Sequence, residues 1–108
     1  MRSPRRVVGY LSASSPADAA PLLAKLRTAA EVEGVNLVTC YRNSVGCGGA
    51  PPAAFGACLA VVEGGDADGV LVASWEQLAP NNLLARALCH HLRDVGGHLY
   101  IAQLARHT

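Results

Sequence analysis

Arg6-Val7-Val8-Gly9-Tyr10-Leu11, followed at once by Ser12-Ala13-Ser14-Ser15-Pro16, is the stretch from which the fold can be read. A short apolar run rich in strand formers that breaks into serine, alanine and proline reads as a buried strand and its exit loop. Downstream, Leu22, Leu23, Leu26, Ala29, Ala30 and Val32 recur at helical spacing, with Lys25, Arg27, Glu31 and Glu33 off that stripe, so a helix runs to Glu33 and closes at Gly34. Its start is open. Ser15 with Asp18 resembles a capping box, yet Pro21 belongs in a first turn, so either Asp18 is the cap or Pro21 kinks the helix.

The same alternation continues outward. Val35 to Tyr41 reads as a second strand, and Arg42 to Pro52, with three glycines and two prolines, as a loop. Phe55, Leu59 and Val62 share one face of a second helix over Ala53 to Glu63, ended by Gly64-Gly65-Asp66. Gly69 to Ala73 reads as a third strand, Trp75 to Asn82 as a connector, and Leu83 to Val95 as a third helix stopped by Gly96-Gly97. His98 to Ala102 is a fourth strand. Four strands alternating with three helices predict an α/β fold: a single three-layer domain with a mostly parallel sheet of four strands, or slightly more, flanked by helices. Active residues then belong beyond the carboxyl ends of the strands, on a rim made by 12–16, 42–52 and 74–82.

Composition agrees and narrows the function. With 108 residues the chain has room for one core, and its 51% hydrophobic but 5% aromatic content predicts an interior of Val, Leu, Ala and Ile. The arginine, alanine and glycine bias fits a GC-rich bacterial genome. No apolar run is long enough to span a membrane, and the apolar stretch after Met1-Arg2-Ser3-Pro4-Arg5-Arg6 is too short for a signal peptide, so a cytoplasmic protein is expected. A net charge of +1 gives no chain-wide attraction to phosphate. Arg2, Arg5 and Arg6 form the one basic cluster, read either as a solvated terminus or as possible phosphate contacts. Cys40, Cys47, Cys58 and Cys89 lack paired metal-ligand spacing and read as reduced thiols. Cys89-His90-His91 cannot all face one ion from a helix. No metal and no cofactor is expected. The loop Val45-Gly46-Cys47-Gly48-Gly49-Ala50-Pro51-Pro52 carries neither glycine pattern of a nucleotide site.

The rim segments resemble the N-terminal catalytic domain of the resolvase and invertase family of serine recombinases. Gly9-Tyr10-Leu11-Ser12-Ala13-Ser14 is similar to the family's G-Y-x-R-V-S, which puts Ser14 at the nucleophile position and Ser12 at an arginine. Phe55 to Leu78, including GDADGVLVAS, keeps the spacing between the family's R-P-x-F helix opening and its V-x-W-K-L-D-R-L-x-R segment. The resemblance covers about residues 6–104 of a single domain spanning 1–108, with no C-terminal DNA-binding domain expected.

What the resemblance implies is chemistry this chain lacks the charges to perform. In the family a serine hydroxyl attacks a DNA phosphodiester, and several arginines stabilise the phosphoryl transition state through forked hydrogen bonds. Here the D-R-L-x-R positions are Glu76, Gln77, Leu78, Ala79 and Pro80, the arginine at the helix opening is Pro52, and the acidic loop residue falls near Asn43. Losing one such donor typically costs about 100- to 1,000-fold in rate. Loss of strand-exchange activity is therefore expected, leaving a degenerate rim of Ser12, Asn43, Pro52, Glu76, Gln77 and Pro80 around Ser14. Three functions compete. The first is a non-catalytic interaction or regulatory module that binds another protein or its own copy, a dimer being expected, with DNA binding weak or absent. The second is a ligand-binding domain or enzyme reusing Ser14, Ser12, Asn43, Glu76 and Gln77. The third is a DNA-associated accessory protein using the basic N-terminus. Trp75 reads as core packing or an interface anchor.

Overall fold

The computed structural model describes residues 5–13, 15–43, 53–79 and 81–102. Its elements are β1 (Arg6–Ser12), α1 (Pro16–Glu33), β2 (Asn36–Asn43), α2 (Ala53–Glu63), β3 (Gly69–Val72), α3 (Trp75–Leu78), α4 (Asn82–Asp94) and β4 (His98–Ile101). The four strands form one sheet in the order β2-β1-β3-β4, and every pairing is parallel. The α/β class and the alternating order follow the sequence pattern.

Alternation along the strands decides which helix covers which face. Val8, Tyr10, Val70 and Val72 point toward α2, α3 and α4, where they meet Phe55, Cys58, Leu78, Ala85, Leu88 and Leu92. Val7, Leu11 and Leu71 point the other way, onto Leu26, Ala29 and Ala30 of α1. One helix therefore covers one face of the sheet and three cover the other. Tyr10 and Phe55 pack edge to face across the second layer, their ring centroids 5.5 Å apart at 88°.

The pairing of β1 with β2 shifts register between Val7 and Val8, because Leu37 sits opposite Val7 and Thr39 opposite Val8. Val38 is the extra residue of this bulge, and its side chain is 40% exposed on the edge strand.

Several boundaries correct the sequence reading. Ser15, not Asp18, caps α1: its Oγ accepts a hydrogen bond from the Asp18 N–H at 3.1 Å, Pro16 takes the first turn, and the helix continues through Pro21. Gly34 closes α1 with φ of 71°, the left-handed conformation that glycine adopts without strain. The segment after β3 contains the one-turn helix α3 rather than a plain connector. It is too short to show periodicity, but Ser74 caps it through the Gln77 N–H. Finally, β1 runs one residue past Leu11, while β2 starts one residue late and ends two residues past Tyr41. Both extensions carry backbone onto the rim.

Candidate functional site at the carboxyl end of the sheet

The rim is assembled where β1, β2 and β3 end. Strand β1 is central, so its last amides face β2 on one side and β3 on the other. Toward β2, the Ala13 N–H donates to the Asn43 carbonyl at 3.0 Å, and Ser12 sits opposite Asn43 in the register. Toward β3, which stops at Val72, there is no further strand to accept. The Ser12 N–H donates instead to Gln77 Oε1 at 2.8 Å. Gln77 is delivered by α3, whose start is fixed by the Ser74 cap and by Trp75 Nε1 donating to Asn82 Oδ1 at 2.9 Å. A side-chain amide thus prolongs the sheet where the backbone leaves it.

The structure brings Ser12, Asn43 and Gln77 together and leaves Glu76 exposed beside them. Ser14, Pro52 and Pro80, along with Arg2 and Cys47, lie outside the described residues. Arg42, absent from the residues singled out in the sequence, also belongs to the site. Its Nη1 donates to the Ala13 carbonyl at 3.2 Å, so the guanidinium lies against the chain immediately before Ser14. Reading Arg42 as the first loop residue hid it; extending the parallel ladder to Asn43 would have placed it.

The other basic residues stand at the opposite end. Arg6 opens β1 and Ser12 ends it, about 20 Å apart at ~3.3 Å per residue. Arg5 donates to the Tyr100 hydroxyl at 2.7 Å and Arg6 to the Gly65 carbonyl at 2.9 Å. These two arginines fasten the amino end of the sheet and cannot serve an anion held beside Ser12. Two open cavities also lie away from the rim. One, of about 340 Å³, is lined by Cys89, Leu92, Arg93, Gly97, His98 and Leu99, and one of about 300 Å³ by Arg5, Asp68, Gly96 and His98.

Beneath the rim the buried Tyr10 and Cys58 are held neutral. Burial pushes the Tyr10 hydroxyl up to about 12, and it pushes the Cys58 thiol up to about 12 as well. Burial also raises Cys40 and Cys89, so none of these three free thiols is activated as a nucleophile. No three His, Cys, Asp or Glu side chains among the described residues are grouped to hold a metal. Nor is any helix among them long and apolar enough to cross a membrane.

No protein-family model and no curated protein matches the sequence. Solved structures do match in shape. The N-terminal catalytic domain of TP901-1 integrase superposes with a TM-score of 0.78 at 17% identity, covering 92% of this chain and 78% of that one. The C-terminal catalytic domain of ISC1926 TnpA, an IS607-like serine recombinase, gives 0.76 at 18% identity over 90% of this chain and 67% of that one. A serine recombinase from Sulfolobus solfataricus gives 0.65 at 12% identity over 97% and 72%. The chain has the fold of the serine recombinase catalytic domains.

Proposed function

We propose that this chain is a catalytically degenerate serine-recombinase-like domain that acts as a protein-interaction or regulatory module. The observation that carries the reading is the bond between Ser12 and Gln77. These are two of the positions at which the resemblance implies arginines, and here the Ser12 backbone N–H donates to the neutral Gln77 side chain, which completes the sheet without charge. A phosphoryl group beside Ser14 would meet the neutral side chain of Gln77 and the exposed carboxylate of Glu76, in place of cations converging on its oxygens. Arg42 alone is one forked donor, where the family chemistry uses several.

The test is incubation with supercoiled plasmid, scoring nicks and covalent protein–DNA adducts for the protein and its Ser14→Ala variant. Neither product is expected from either protein. Nicking that disappears in Ser14→Ala would overturn the reading. Any DNA binding should be weak and only shallowly dependent on salt, because few cations are free to displace counterions.

A further inference from the structure

The last turns of α4 and the start of β4 flank the open cavity of about 340 Å³ at the amino end of the sheet, a strand-length from the rim. Cys89, Leu92 and Arg93 are spaced i, i+3 and i+4, so one face of α4 supplies all three. Gly97, His98 and Leu99 supply the rest of the wall. Gly97 admits nothing larger, because a Cβ there would lie 2.7 Å from Leu92 Cδ1 and 2.8 Å from Val62 Cγ1. The glycine turn thus sets β4 close against the helix and brings His98 round to the side of Arg93.

The lining is divided by polarity. Leu92 is buried and Leu99 half-buried, and half-buried Cys89 is a thiol that burial holds neutral. Arg93 and His98 are exposed. No carboxylate lines the cavity, and the Arg93 guanidinium has no hydrogen-bond or ion-pair partner among the described residues. The neighbouring cavity differs on both counts: Arg5 is taken up by Tyr100, and Asp68 adds a negative charge. The carbonyls that end α4 do not oppose an anion either. Those of His91, Leu92 and Arg93 already accept from the Val95, Gly97 and Gly96 N–H groups.

We infer that this cavity binds a small organic monocarboxylate, its apolar body against Leu92, Leu99 and Cys89 and its carboxylate forked onto the Arg93 guanidinium, with His98 as a second donor. The volume stands at the lower end of the range for small-molecule sites, which suits a single ring or a short chain. A phosphate dianion fits less well, since it asks for several cations and has no apolar part to bury. The site is separate from the rim. Nicking in the plasmid assay would sink the degenerate reading and leave this inference standing.

Titration of the full chain with benzoate, followed by amide shifts in proton–nitrogen correlation spectra, tests it. Saturable shifts at Cys89, Arg93, Gly97, His98 and Leu99 are expected, with half-saturation at about 1 mM. Benzamide, of the same shape without the charge, and inorganic phosphate should each bind about tenfold more weakly or not at all. Arg93→Gln should weaken benzoate by about tenfold. Arg27→Gln makes the same change in net charge at an exposed position of α1, on the other face of the sheet, and should leave binding unchanged. The spectra of both variants report their folding directly. Benzoate that moves no signals around the cavity overturns the inference, as do shifts that never saturate and equal weakening by the two arginine variants. Benzamide or phosphate binding as tightly as benzoate overturns it too.

Discussion

The two ends of β1 solve the same problem with opposite materials. At the amino end, the Arg6 N–H donates to Asp68 Oδ2 at 2.9 Å, the Asp68 N–H donates back to the Arg6 carbonyl at 2.7 Å, and the His98 N–H donates to the Asp68 carbonyl at 3.2 Å. Arg5 and Arg6 then reach Tyr100 and Gly65. At the carboxyl end the closing group is a neutral amide, that of Gln77, and the charges of Arg42 and Glu76 are left facing outward. At one end charged side chains help to close the fold; at the other the fold is closed by a neutral group and the charged side chains stay exposed.

The largest expected effect breaks the amino end. A Cβ at Gly69 would run into the His98 carbonyl oxygen and lie 2.8 Å from the Tyr100 ring, on backbone that cannot retreat without unpairing β3 from β4. Gly69→Ala should cost about 3 kcal/mol in urea unfolding, the upper part of the range for overpacked sites. A variant as stable as the parent would mean that this end is looser than its bonding suggests.

The middle of β1 sharpens the contrast through pH. Tyr10 and Cys58 are acids raised from 10.0 and 9.0 to about 12. The unfolded chain releases these protons first, so the native state binds more protons in the alkaline range and stability falls with rising pH. The decline should start near pH 9 and extend to about pH 12. Tyr10→Phe should remove the part of it that begins near pH 10, read as the midpoint of chemical unfolding across that range.

The smallest effects separate the two kinds of rim residue. Gln77→Ala leaves the half-buried Ser12 N–H without its acceptor and should cost about 1 kcal/mol. Arg42→Ala removes one long, partly buried bond made by an exposed side chain, leaves only a carbonyl that keeps other access to water, and should stay within about 0.5 kcal/mol. Equal losses in thermal unfolding would erase the distinction between closing group and free charge.

Much of this architecture is legible in the sequence because strand alternation, helical spacing and Gly34 all report local backbone preference. The order of elements and the position of the rim follow from them. What escapes is of another kind. Gln77 looks like the last residue of an S-x-x-Q capping box, and its N–H does bond Ser74, but its side chain crosses to Ser12, 65 residues away in the chain. Arg42 looks like loop because the apolar alternation stops at Tyr41, and only pairing against β1 shows the strand continuing. Arg5 and Arg6 look like a free basic terminus until Tyr100 and Gly65 are brought beside them. In each case a long-range partner decides the role, and local pattern carries no record of it.

The sheet order has a consequence for how the chain reaches this state. Strand β1 emerges first in synthesis and ends in the middle, and its bond to Asp68 spans 62 positions. With every pairing parallel, no hairpin can nucleate the sheet, and loop closure must precede any reward from strand contacts. Until β3 has been made, the apolar run of β1 has only one flank to pair with, so the nascent chain carries a sticky, half-clad strand until Val72 has emerged.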